Sequence, residues 1–230
     1  MKHIYLIFGA ALLSGLSGFG QGTNDTIHHE KFGITFSGFV RTEAAFDTRQ
    51  GEGYRDQLIN LYPANIRLDK NGDDVNARPG FDQYAMTTRL TGNITGPSAF
   101  GAKSMACMEG DFTGPSNTEN NAFRLRHAYI KLNWAKSELF MGQYWHPLNL
   151  PEMIPSVISL NTGAPFHPFS RQPQIRFSRL FGKINVVAVA SSERDNTSIG
   201  PLGSTSEYLR NSVIPNMHLQ IQYKNEEKLF

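Results

Sequence analysis

The sequence predicts an all-β chain folded as an antiparallel transmembrane β-barrel. Three observations predict it: strands whose apolar and polar side chains alternate, connections that run long and short in turn, and a leader fit for export. The clearest strand lies in residues 215–230, where Met217, Leu219, Ile221 and Tyr223 alternate with His218, Gln220, Gln222 and Lys224. Successive side chains of a strand point to opposite faces, so one side is wholly apolar and the other wholly polar, as between hydrocarbon and a water-filled lumen. Asn225, Glu226 and Glu227 break the pattern as a turn, and Lys228, Leu229 and Phe230 read as the start of a ninth strand.

From the N-terminus, Lys2 precedes an apolar run from Ile4 to Leu13, and mostly small residues follow to Gly20. This is the layout of a secretory signal peptide over residues 1–20, leaving 21–230 as a barrel domain incomplete at its C-terminus. The run falls short of the roughly 18 apolar residues of a membrane-spanning helix, and no other stretch approaches that length. His28 and His29 follow in a polar stretch without a third ligand at zinc-like spacing, so no metal is expected there.

The first strand is expected over residues 31–48. Phe32, Ile34, Phe36, Val40, Ala44 and Phe46 face one way, and Thr35, Ser37, Arg41, Glu43 and Asp47 the other, with Phe39 the exception. Residues 49–80 carry Gly51, Gly53, Pro63, Asn71-Gly72 and Pro79 and read as a long loop. A second strand sets Tyr84, Met86, Leu90 and Ile94 against Gln83, Thr87, Arg89, Thr91 and Asn93. After Gly96-Pro97-Ser98 a third strand, residues 100–112, opposes Ala102, Ala106, Met108 and Phe112 to Lys103, Glu109 and Asp111.

Residues 122–134 and 138–145 form the next two strands around a tight turn, and 146–172 is a long proline-rich loop. Strands at 174–181 and 184–193 meet at Gly182-Lys183, and a loop leads to the final strand. Short turns at one end and long loops at the other are the layout of an outer-membrane barrel, and most strands exceed the ~9–11 residues needed to cross a bilayer. The count is about eight strands plus the start of another.

Composition agrees. Charged residues are 18%, below the roughly 25% usual for soluble domains. A net charge of +2 gives no argument for a nucleic-acid partner. The single cysteine, Cys107, has no internal partner and reads as a small strand filler.

Phe123 to Trp134, followed by Glu138 to Leu148, resembles the central strand pair of the DcaP-like trimeric porins. Phe100-Gly101-Ala102-Lys103 through Glu109-Gly110-Asp111-Phe112 resembles the strand before it. The resemblance runs from Phe32 to Phe230, with residues 49–80 too irregular to align. It implies a 16-stranded barrel of which this is the first half. It also implies a homotrimer in outer-membrane lipid and passive diffusion of small hydrophilic solutes or ions. The third external loop of such porins folds inward and sets the constriction, which here makes His146, Glu152, His167 and Arg171 the constriction candidates. The natural chain is expected to continue past Phe230, because an open sheet in hydrocarbon leaves unpaired backbone groups that cost several kcal/mol each.

Arg41, Glu43, Arg89, Lys103, Glu109, Asp111, Lys131 and Arg176 fall on polar faces and are the pore-lining candidates. Both signs occur, which suits a transverse field across an eyelet. Arg124 and Arg126 join them, although they share parity with Ala128, Ile130 and Leu132. Either a bulge near His127 shifts the phase or these arginines lie beyond the hydrocarbon. Trp134, Tyr144, Trp145 and Tyr223 are expected in aromatic girdles at strand ends.

No nucleophile elbow, phosphate loop or metalloprotease motif is present, so no catalytic residue or cofactor is expected. The alternative is a secreted β-sandwich or lipocalin-like binding protein, which requires an inward apolar face. An outer-membrane lipase-like enzyme would need a paired Ser and His that the sequence does not offer.

Overall fold

The computed structural model describes residues 32–155, 168–195 and 197–223. The leader, His28 and His29, His167 and the start of a ninth strand lie outside these residues. Eight antiparallel strands form one continuous sheet: β1 (Gly33–Phe39), β6 (Arg89–Thr95), β7 (Lys103–Asp111), β8 (Arg124–Asn133), β9 (Ser137–Trp145), β10 (Arg171–Phe181), β11 (Ile184–Ser191) and β14 (Asn216–Tyr223), in that spatial order. The remaining strands are two-stranded pairs within the connections: β2 (Glu43–Asp47) with β5 (Gly80–Tyr84), β3 (Gly51–Tyr54) with β4 (Ile59–Pro63), and β12 (Ile199–Gly200) with β13 (Gly203–Ser204). One short helix, α1 (Glu207–Ser212), precedes β14. Among the described residues no helix is long and apolar enough to cross a membrane, and β1 and β14 are the ends of the sheet.

The alternation read from the sequence appears as an inverted burial pattern. In β14, Leu219 and Ile221 are 73% and 74% exposed, whereas His218, Gln220 and Gln222 on the other face are only half-exposed. The register carries this division across the sheet. The polar face runs from Gln220 through Val187, Ser178, Glu138, Asn133 and Lys103. Ile34, Phe36, Ile130, Ile175, Phe177, Met217 and Leu219 stand exposed on the opposite side. Of the described buried residues, many are polar: Thr87, Asp111, Thr113, Arg126, His127, Gln172 and Gln174. A water-soluble sandwich would place these classes the other way round.

Three boundaries differ from the sequence expectation. The first strand is interrupted at residues 40–42, where the Arg41 amide donates to Thr88 Oγ1 at 3.2 Å in place of a ladder bond. Above that break β2 and β5 carry the hairpin onward around a small core of Leu58, Tyr84 and Met86, against which Ala45 packs. Within residues 49–80 lies the β3–β4 hairpin, whose turn places Arg55, Asp56 and Gln57 all at positive φ. Finally, Arg171 opens β10 instead of ending the long loop, since pairing runs unbroken from Arg171–Trp145 through Pro173–Gln143. Pro173 cannot donate, but its carbonyl accepts from the Ser192 amide at 2.9 Å.

Gly142 in β9 has φ +136° and pairs with Tyr129 on one side and Gln174 on the other. A Cβ there would press on the Ala128 carbonyl and lie 2.6 Å from Tyr129 Cα, and both are backbone. Gly142→Ala is expected to lower stability by about 2–3 kcal/mol through clash and dihedral strain, read as a lower urea midpoint in detergent.

Candidate functional site

The densest charge cluster lies on the polar face where β6, β7 and β8 meet. The register brings Arg89 opposite Asp111, Thr91 opposite Glu109, and Glu109 opposite His127. Pairing then resumes with Gly110 opposite Leu125 and Asp111 opposite Arg124, so Arg126 is an extra residue in β8. That bulge puts both Arg126 and His127 on the polar side, answering the question the parity of Arg124 and Arg126 raised.

Asp111, fully buried, takes a two-pronged contact from Arg124, Nε to Oδ1 at 2.8 Å and Nη2 to Oδ2 at 3.2 Å. Arg126 Nη1 donates to the same Oδ2 at 2.9 Å, and the Thr113 amide donates to Oδ1 at 3.2 Å. Arg126 Nε reaches Glu109 Oε1 at 2.8 Å, and Thr91 Oγ1 donates to Glu109 Oε2 at 3.1 Å. Arg89 stands 3.7 Å from Glu109, with its guanidinium over Phe39. Phe39, the exception to the sequence alternation, is thereby placed opposite Arg89. In a site of reduced dielectric such charge-assisted bonds hold the guanidinium planes in fixed orientations.

A second group lies along β8, β9 and β10. Tyr129, Phe140 and Tyr144 pack together with centroids 4.6 to 5.4 Å apart. Lys131 lies over Tyr129 and Phe140 and pairs with Glu138 at 3.3 Å, and Arg176 lies over Phe140 and Tyr144. Tyr144 thus belongs to the polar-face cluster instead of an outer girdle. Trp145 is likewise enclosed, by His127, Arg171 and Phe169. Tyr223 is exposed at the end of β14, and Trp134 donates from Nε1 to the Phe100 carbonyl at 2.9 Å.

The other expected residues scatter around these clusters. Arg41 and Glu43 form their own ion pair at 2.5 Å, with Thr87 donating to Glu43. Lys103 is exposed at the far end of β7. Glu152 sits exposed in a 3-10 turn at Pro151–Met153, and His146 lies at the root of that connection. Arg171 is 3% exposed, stacks on Trp145 at 4.4 Å and contacts Asp195 at 3.4 Å, while its Nε and Nη2 find no hydrogen-bond acceptor among the described residues.

Arg171, Arg124, His146 and Asp195 line a cavity of about 660 Å³, whose far wall is Tyr54 and Arg55 from the β3–β4 turn. Arg55 is held there by the Asn117 side chain and the Pro115 carbonyl. Sequence reasoning missed Arg55 and Asp195, which sit in loops without periodicity, and it named His127 only as the place of a bulge. His218 and Gln220 were legible as polar-face residues from their parity alone. Among the described residues no group of three or more His, Cys, Asp or Glu is placed to hold a metal.

The family model for the DcaP outer membrane protein matches residues 16–227. Among solved structures, the crystal structure of the outer membrane channel DcaP of Acinetobacter baumannii matches with a TM-score of 0.58 at 20% identity. The match covers 85% of this chain and 50% of that one, so the present chain spans about half the length of that channel. No curated protein sequence matches the chain. An antiparallel sheet with one apolar and one charged face, the family match over nearly the whole chain and the likeness of fold lead to one assignment: the chain belongs to the DcaP outer membrane protein family.

Proposed function

We propose that the chain forms the first half of a 16-stranded outer-membrane barrel, assembled as a trimer, through which small hydrophilic solutes or ions diffuse passively. The leader at residues 1–20 directs export and is removed on the way to the outer membrane, and the barrel wall acts without a catalytic group or cofactor. The observation that carries this reading is the inversion of the sheet, with an exposed apolar face and a charged face that is partly enclosed. The second strand set required for closure would pair with β1 and β14, the two ends of the sheet.

The polar face carries Arg89, Lys103, Arg124, Arg126, Lys131 and Arg176 against Glu109, Asp111 and Glu138. Both carboxylates of the main cluster are engaged by arginines, so the remaining field along this wall is positive and favours anions. Protein purified with detergent from native outer membranes should give discrete current steps in planar bilayers. Its reversal potential in a potassium chloride gradient should have the sign of chloride preference. Absence of steps from folded protein would overturn the channel reading, and a potassium-selective potential would overturn the sign of the wall.

A further inference from the structure

Immediately after β9 the chain does not follow the edge of the sheet but crosses to β14, two strands beyond its neighbour β10. The His146 amide donates to the Ser170 carbonyl at 2.9 Å, which closes the base of the connection. Gln220 Nε2 donates to the Pro147 carbonyl at 2.5 Å, and the His146 ring meets the His218 ring edge to face, centroids 5.3 Å apart. Pro147 is fully buried beneath this contact. Residues 146–149 thus form a strap over the polar face, fixed at its base by the Ser170 bond and tied to β14 by the Gln220–Pro147 bond and the imidazole pair.

The imidazole pair is chemically unusual for a structural clasp. The Leu148 amide donates to His146 Nδ1 at 3.2 Å, so that nitrogen serves as an acceptor and the ring is neutral. His218 Nε2 is buried and finds no hydrogen-bond partner among the described residues. A proton on His146 Nδ1 would set two donors against each other at Leu148. The charged groups around the pair are few. Glu193 approaches His146 from the segment after β11, but its carboxylate is occupied by the amide and hydroxyl of Ser198. From β10, Arg171 lines the same cavity and is itself paired with Asp195. On β11, His218 faces Val189, which is apolar.

We propose that His146, packed against His218, forms an acid-sensitive latch, which ties residues 146–149 across the channel wall at neutral pH and releases them when the His146 ring protonates. Burial first, and the neighbouring His218 second, lower the affinity of His146 for a proton, with Glu193 acting in the other direction. The strapped state therefore binds fewer protons than the released state. It is fully favoured above the ordinary histidine pKa of about 6.5 and weakens as pH falls below it, by up to about tenfold per pH unit for each proton taken up.

The latch rests on the channel reading, and one experiment separates their failures. Single-channel currents of the protein purified from native outer membranes are recorded at about pH 7.5 and about pH 5, on either side of the histidine range. The expected result is a gating frequency or open-state conductance that changes severalfold between the two, with the change lost in His146→Phe, which keeps ring packing without a titrating nitrogen. Current steps identical at both pH values overturn the latch and leave the channel. No steps from folded protein overturn both.

If the phenylalanine variant fails to fold, the protein with both histidines intact and carrying Trp134→Phe gives a second readout. Trp145 is adjacent to His146, and its own emission is read as the difference between that protein and the same protein also carrying Trp145→Phe. Its emission should shift between the same pH values, and an emission maximum constant across them overturns the latch.

Discussion

Asp111→Asn should weaken the folded protein by about 3–5 kcal/mol, the range found when one partner of a buried ion network is removed. Asparagine preserves the shape of the side chain, so packing is little disturbed. What changes is that Arg124 and Arg126, 14% and 4% exposed at their side chains, lose the charge that both address through a carboxylate only 1% exposed. The amide NH₂ of asparagine adds a donor where one guanidinium now donates, so one of the two arginines faces an unfavourable contact. The measurement is the temperature at which the folded band of unheated protein converts to the unfolded one on a denaturing gel, together with the urea midpoint in detergent. A drop no larger than that of an exposed control such as Lys103→Gln would mean that lumen water already screens the cluster.

Leu219→Arg separates a membrane wall from a wetted surface more sharply. Leu219 is 73% exposed at the middle of β14, and a substitution at such a place on a soluble protein changes stability by no more than about 0.5 kcal/mol. Facing hydrocarbon, an arginine at mid-depth costs about 2–4 kcal/mol. The variant should therefore refold poorly into lipid vesicles while Gln220→Arg, on the opposite face of the same strand, refolds normally or nearly so. Equal refolding of the two would contradict the assignment of faces. The pair shares a strand, a charge and a side-chain size, so only the direction of the side chain differs.

Strands of the main sheet such as β1, β6, β7 and β14 were legible because their side chains keep a two-residue period that the boundary on either side enforces. In β14, Met217, Leu219 and Ile221 lie on one face and His218, Gln220 and Gln222 on the other, as their parity predicted. Elements that obey another logic were not legible. The β3–β4 hairpin hides behind Gly51 and Gly53 and has no alternating side chains, since its pairing shifts register between Glu52 and Gly53. Pro173 disguised the beginning of β10, because proline in a run signals a loop unless its missing donor is harmless there. Tyr144 and Trp145 sat close enough to a strand end to be taken for girdle aromatics, and their contacts with His127 depend on how β9 pairs with β8. The charged residues were recognised one at a time by parity. Their assembly into one network required the register of β6, β7 and β8, which alternation alone leaves open.

That last point gives the bulge at Arg126 a role in assembly. A hairpin that slips by one residue turns its apolar side chains toward water and is rejected at once, but a slip by two keeps every side chain on its proper face. Hydrophobicity cannot proofread that error. The unpaired residue can, because it lies at one level of β8, and only one alignment places Glu109 and Asp111 beside Arg124 and Arg126. In any alignment displaced by two, the carboxylates would miss their guanidinium partners and the strand would bend at the wrong height. The irregularity in the ladder thus acts as an index mark, distinguishing the native pairing from a neighbour that the membrane itself would accept.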